Sequence, residues 1–215
     1  TLAFILGATR QLRANCKLMV GGGWGLAVPL GEMRTLRDLT VGIVGMGRIG
    51  RAVVERLRGF GCRVQAFDPQ LSNDEISAAG ATPVELAALL SESDIVSLHC
   101  PSTDATRKLL NADTISRLKQ DAMVINVGRG DLIDLDALTQ AVLDKKLSAV
   151  ALDVFDPEPL PADHPLLALD NVIVSAHIAS ASVNAVRTLR ETAAQLVVKA
   201  KNGEPLPSIV NGVGS

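Results

Sequence analysis

"GIVGMGRIG", residues 42–50, sets a short apolar run against a turn in which Gly45, Gly47 and Gly50 recur at close intervals. The run suits a buried strand, and a helical pattern over residues 48–59 follows it. At a strand-to-helix junction each glycine has its own use. The first permits a tight turn, the second lets a pyrophosphate approach the backbone, and the third lets helix and strand pack closely. A negative ligand held there rests on the helix N-terminus, whose first N–H groups lack partners. The next apolar run ends in "VQAFDP", which places Asp68 about twenty residues on, the usual spacing for an acid that binds ribose. A carboxylate there accepts hydrogen bonds from ribose hydroxyls and repels a 2′-phosphate, so the pattern predicts NAD rather than NADP. The plainer reading of Asp68 is a turn residue before Pro69.

Working outward, apolar runs rich in Val and Ile recur at residues 41–45, 63–67, 94–98, 122–127, 149–154 and 171–175. Helical patterns lie between most of them, at 48–59, 83–91, 112–119 and 135–145. Continuous apolar strands alternating with amphipathic helices are strands covered on both faces. They predict an α/β fold, a doubly wound parallel sheet with right-handed crossovers. A final helix over 182–201 ends at Asn202 and Gly203 and leads into a tail containing proline.

Before the first strand, Leu2, Ile5, Leu6, Thr9, Leu12 and Arg13 fall at helical spacing, and Arg10, Arg13 and Lys17 suit the negative end of a helix dipole. This predicts one amphipathic helix, broken by the "GGGWG" linker at 21–25. The apolar opening is too short to span a bilayer and no basic region precedes it, so neither a signal peptide nor a membrane segment is expected. With no initiator Met, the opening is expected to lie inside something longer. The expected division is 1–30 connecting helix and linker, 31–180 dinucleotide-binding domain, and 181–215 C-terminal helix and tail.

Composition narrows the partners. A net charge of −2 offers no basic field for a phosphodiester backbone, and 2% aromatic residues leave few platforms for stacked bases. No nucleic-acid partner is expected. Cys16, Cys62 and Cys100 form no C-x-x-C pair and no metal-ligand spacing, which suits structural thiols in a reducing cytoplasm and predicts no metal.

The carboxyl ends of parallel strands share one edge, where ligands of open α/β sheets bind. Arg129 in "NVGRGDLID", Glu158 in "DVFDPEP" and His177 in "SAHIAS" each follow a predicted strand and so converge there. Each alone has an innocent reading, as a loop ion-pair partner, a solvated charge or a core histidine. Together they supply what hydride transfer to a carbonyl needs. Arg129 offers a planar fork for a carboxylate and its neighbouring oxo group, His177 a proton donor, and Glu158 a partner that orients the imidazole. Arg48 reads equally as a pyrophosphate contact or an exposed first-turn arginine. "SLHCPST" places Cys100 and Pro101 where they line an adenine slot, while His99 reads as a structural residue and His164 as a helix-entry loop residue.

In order and spacing, "GIVGMGRIG", "LHCPST", "NVGRGDLID", "ALDVFDPEP" and "HIAS" resemble the signature segments of the D-isomer-specific 2-hydroxyacid dehydrogenases. That group includes phosphoglycerate and glycerate dehydrogenases and the C-terminal-binding-protein corepressors, and the resemblance covers nearly the whole chain. It implies a Rossmann-type NAD-binding domain and a catalytic set of Arg129, Glu158 and His177. Gly45, Gly47, Arg48, Ile49, Gly50, Asp68, Cys100, Pro101, Thr106, Val127, Gly128, Asp153 and Ala179 would surround NAD. It also implies a small 2-oxo or 2-hydroxy acid as substrate and a homodimer that pairs through this domain and its opening helix. The alternative it carries is an NAD(H)-responsive interaction module like the corepressors. Glu158 argues against formate dehydrogenase, a relative with Gln at that place. Two departures stand out. The larger part of the family's substrate domain is absent, which implies a chain that binds NAD and turns over slowly or not at all by itself. In addition, Val127, Gly128 and Asp131 differ from the commoner residues around the arginine.

Overall fold

The structure is a computed structural model that describes residues 1–207, so the end of the expected tail lies outside the described residues. Two compact units are present, one over Thr1–His177 and one from Ile178 onward.

In the first unit the apolar runs form β1 (Thr40–Val44), β2 (Arg63–Phe67), β3 (Thr82–Pro83), β4 (Ile95–Leu98), β5 (Ala122–Asn126), β6 (Leu147–Leu152) and β7 (Val172–Val174). They pair in the order β3-β2-β1-β4-β5-β6-β7 and every pairing is parallel. β1, β4 and β5 are buried at every position, which is why their sequence shows no polar alternation. Successive side chains face opposite ways and feed two cores. Ile43, Ile95, Met123 and Ile125 pack on one face with Val54 and Leu57 of α3 (Arg48–Leu57) and Ile76 of α4 (Asn73–Ala78). Val44, Val96, Leu98 and Val124 pack on the other with Leu89 and Leu90 of α5 (Leu86–Glu92), Ile115 of α6 (Ala112–Ser116) and Leu138 of α7 (Leu135–Leu143). This is the doubly wound sheet expected. From β1 the chain first builds outward to β3 and then returns to β4 on the other side, so the connections leaving β1 and β4 diverge and open a crevice.

Three local expectations need correction. The predicted opening helix is two, α1 (Leu2–Thr9) and α2 (Leu12–Val20), joined at Gln11 in the left-handed region at φ 47. Tertiary contacts impose that break. Gln11 is buried and donates from Nε2 to Ser148 O at 3.2 Å, while Arg13 donates to Leu167 O and Val172 O at 2.6 Å each. Six predicted strands become seven because Thr82–Pro83 adds a short edge strand beside β2. The helix predicted over 83–91 accordingly starts later, at Leu86. α4 was not predicted, although its capping box between Ser72 and Glu75 is legible in "SNDE".

The second unit contains α8 (Val183–Lys201), whose Ser182 Oγ accepts from Ala185 N at 3.1 Å. Asn202 closes the helix and Gly203 follows at φ 69, the left-handed exit that its sequence implies.

The glycines of the first turn make a stability prediction. A Cβ at Gly50 would lie 2.1 Å from Gly45 O, whereas one at Gly47 would meet nothing within 4 Å. Gly50→Ala should therefore cost ~1–3 kcal/mol in denaturant unfolding, the range for an overpacked site. Gly47→Ala should cost at most about 1 kcal/mol, a helix-cap effect. Equal losses in the two variants would contradict this account.

Candidate functional site

The connections that leave the carboxyl ends of the strands carry all the sequence-predicted site residues of the first unit. Gly45 follows β1 at φ 96, and a Cβ there would fall 2.5 Å from the Cys100 amide nitrogen, so β1 and the β4 exit touch backbone to backbone. Gly47 is the N-cap of α3 and no side chain caps that helix. Its first-turn N–H groups therefore face an open approach, which is the physical requirement for a pyrophosphate. Arg48 and Ile49 are exposed at the helix start, Ile49 at 64%.

Asp68 leaves β2 and braces two turns. Its Oδ2 accepts from Met46 N at 2.8 Å, inside the glycine-rich turn, and its Oδ1 accepts from Gln70 N at 2.9 Å. Its turn-residue reading is thus met, and its carboxylate is also fixed against the cofactor turn. Arg51, which sequence reasoning missed, holds the same turn by donating from Nε to Met46 O at 2.9 Å. Together these bonds set the turn's shape before any ligand arrives.

Beyond β4, Cys100 is half-buried and burial raises its thiol pKa, with the Asp68 charge adding to the effect. Pro101 is exposed and its carbonyl accepts from Thr106 Oγ1 at 2.6 Å, while Thr103 N donates to the same hydroxyl at 2.8 Å. His99 turns away from chemistry. Burial pushes its imidazole down to about 4, and its Nε2 pairs with Ser97 Oγ at 2.9 Å, which makes it a neutral structural histidine near pH 7. His164 accepts from Leu166 N and caps a short 3-10 turn, as a helix-entry residue should.

Arg129 follows β5. Its loop is organised by Asn126, a fully buried residue that sequence reasoning passed over. Asn126 Oδ1 accepts from Gly128 N at 3.0 Å, and its Nδ2 donates to Arg129 O at 2.8 Å. The signal was a carboxamide at the end of an otherwise apolar strand. Val127 and Gly128 are half-buried, and the exposed Arg129 guanidinium donates to Gly128 O of its own loop at 2.7 Å. A Cβ on Gly130 would fall 2.0 Å from the Phe155 carbonyl, so this loop abuts the one carrying Glu158.

Glu158 and His177 meet directly. His177 Nδ1 lies 2.9 Å from Glu158 Oε2, and Glu158 Oε1 accepts from Phe155 N at 2.9 Å. The His177 bond, followed by the Phe155 amide, holds the Glu158 carboxyl below its ordinary range. A carboxylate partner fixes the proton on Nδ1 and leaves Nε2 for chemistry. The backbone of His177 is strained, at φ 55, and is held there by its N–H donating to Asp153 O at 2.7 Å. Asp153 is buried at 1% exposure, and Ser175, also missed from sequence, donates its hydroxyl to Asp153 Oδ1. A cavity of about 630 Å³ opens beside the pair, lined by Phe155, Pro159, Leu160, Leu167 and Val174. Ala179 belongs to the unit that starts at Ile178, where it is exposed.

The chain has relatives among known proteins. Residues 2–179 match the family model described as D-isomer specific 2-hydroxyacid dehydrogenase, NAD binding domain. A glyoxylate reductase of Korarchaeum cryptofilum is 41% identical over 172 residues, covering 80% of this chain and 52% of that protein. A human glyoxylate reductase/hydroxypyruvate reductase is 37% identical, covering 96% of this chain and 64% of that protein. The crystal structure of a D-lactate dehydrogenase with NAD+ from Lactobacillus jensenii superposes with a TM-score of 0.87 at 28% identity, covering 98% of this chain and 66% of that one. The chain thus spans about half to two thirds of the length of these relatives. Among the described residues, no helix is long and apolar enough to cross a membrane.

The paired carboxylate sets a pH prediction. Because the folded pKa of Glu158 lies below its unfolded value, the stabilisation is present above the ordinary glutamate range and is lost as pH falls through the lowered value. With side chains 49% and 37% exposed, solvent screening leaves it small in stability but readable by titration. In His177→Ala, carboxyl-carbon NMR should find the Glu158 midpoint moved up towards an ordinary glutamate. An unmoved midpoint would mean that the imidazole is not its main partner.

Proposed function

The chain belongs to the D-isomer-specific 2-hydroxyacid dehydrogenases, and from that premise we propose that the whole protein interconverts a small 2-oxo acid and its D-2-hydroxy acid. NAD is the cofactor of this domain. In this reading the glycine-rich turn, with Arg48 and Ile49 at the uncapped start of α3, takes the pyrophosphate, and Asp68 takes ribose hydroxyls. Cys100, Pro101 and Thr106 border the adenosine side, and Val127, Gly128 and Asp153 border the nicotinamide. When bound, the nicotinamide supplies or accepts the hydride.

The remaining work falls to the chain's own side chains. Arg129, exposed and with no carboxylate partner among the described residues, presents its fork to the acid's carboxylate and oxo oxygen. His177 delivers the proton from Nε2 during reduction, and the neutral ring takes it back at the same atom during oxidation. Glu158 holds Nδ1 and leaves Nε2 for the substrate. The observation that carries this reading is the 2.9 Å bond between His177 and Glu158 at the strand edge that also bears the glycine-rich turn.

The protein is further proposed to be a cytoplasmic homodimer. Free Cys16, Cys62 and Cys100 suit a reducing compartment. Met19 at 50% and Val20 at 90% exposure at the end of α2, with Trp24 at 90% and Leu30 at 75% beyond it, supply apolar surface that suits self-pairing.

In the full-length protein His177→Ala should remove turnover of glyoxylate with NADH while leaving NADH affinity within about twofold, since a proton donor acts on kcat rather than on cofactor binding. Loss of NADH binding in that variant would count against the assignment. Sedimentation of the wild-type chain at micromolar concentration should give a dimer, and a monomer would remove the pairing proposal.

A further inference from the structure

The loop that carries Arg129 and the loop that carries Pro101 and Thr106 leave different strands, yet one side chain joins them. Asp131 follows Arg129 by two positions, in a 3-10 turn over Gly130–Leu132 that has Arg129 as its N-cap. Its Oδ2 accepts from Ser102 Oγ at 2.6 Å and from Arg107 Nη1 at 3.1 Å. Its backbone carbonyl accepts from Lys108 N at 2.7 Å, and the seam continues through Leu110 N donating to Leu132 O at 3.1 Å and Asp134 N donating to Leu110 O at 2.8 Å. At 19% exposure the Asp131 side chain is shielded, so its ion pair is worth more than the surface pairs elsewhere in the chain.

Ser102 and Arg107 flank the stretch that Thr106 braces from within, through its bonds to Pro101 O and Thr103 N. A braced loop held at both ends moves as one piece. On the other side the turn has little freedom. Asn126 fixes Arg129 O, and Gly130 is pressed against the Phe155 carbonyl. A displacement of the 101–107 loop is therefore passed through Asp131 to the turn that aims Arg129.

We infer that Asp131 is a positioning residue that couples the cofactor-side loop to Arg129, so that NADH and the oxo acid strengthen each other's binding through the Ser102–Asp131–Arg107 clamp. This rests on the proposed roles of Arg129 and of the 101–106 loop. Because coupling between two bound ligands is reciprocal, both affinities carry its signature.

The test uses the full-length protein, with NADH affinity read by fluorescence and steady-state kinetics read on glyoxylate and pyruvate. Asp131→Ala should raise the oxo-acid KM about tenfold, the loss expected for charge-assisted hydrogen bonds, with kcat changed less than about threefold. It should also weaken NADH by several-fold. Asp131→Asn, which keeps an acceptor for Ser102, should recover part of the KM. Ser102→Ala alters only the exposed-loop partner and guards against a misfolded Asp131 variant. Its effect should vanish in the Asp131→Ala background, since both changes break one clamp. Unchanged KM and NADH affinity in Asp131→Ala, or additive effects of the two substitutions, would overturn the inference. A lower kcat at constant KM would do the same, because that is the mark of a smaller folded fraction. A wild-type protein that neither binds NADH nor reduces either acid would instead defeat the proposed function itself.

Discussion

Everything at the candidate site depends on the parallel pairing of seven strands. Parallel strands deliver all their carboxyl ends to one edge, so residues as distant as Gly45, Asp68, Arg129, Glu158 and His177 leave the sheet on the same side. An antiparallel insertion would send its connection to the opposite edge. Burial enforces the pairing, because a strand covered on both faces cannot slip register without exposing apolar side chains to polar surroundings.

The same edge is stiffened by contacts that leave no room for a side chain. Gly45 sits against the Cys100 backbone, Gly50 against Gly45 O, and Gly130 against the Phe155 carbonyl. At Gly47 the space is open instead, and that contrast separates glycines used for packing from one used for access. Side-chain braces complete the scaffold. Asp68 and Arg51 shape the first turn and Asn126 the arginine loop, while the backbone carbonyl of Asp153 holds the His177 N–H. A strained imidazole-bearing residue at φ 55 is tolerable only because its N–H is held. The candidate side chains are thus placed by the fold's own contacts, which is the condition that preorganised chemistry requires.

Much of this was legible in the linear chain. The strand runs at 41–45, 122–127 and 149–154 stand out because doubly covered strands need apolar residues at every position. Arg129, Glu158 and His177 were legible because chemistry-bearing side chains just past apolar runs have few structural reasons to be there. Less visible were β3, whose two residues carry no periodicity, and the break at Gln11, where local propensity favours continuing the helix. Ser175 and Asp131 were hidden for another reason. Each acts through a partner loop, and a hydrogen bond across 22 or 29 positions has no signature in spacing.

Local chemistry and periodicity were enough to determine the class of fold, the glycine-rich turn, and the side chains gathered at the strand ends, because these follow from rules that act within one element or between sequential ones. Tertiary structure alone decided where the opening helix breaks, which loops are clamped to one another, and that Nδ1 of His177 is taken by Glu158 while desolvation keeps His99 neutral. Those outcomes depend on which groups meet in space and on how far water is excluded from them. Neither quantity can be read until the strands have been placed side by side.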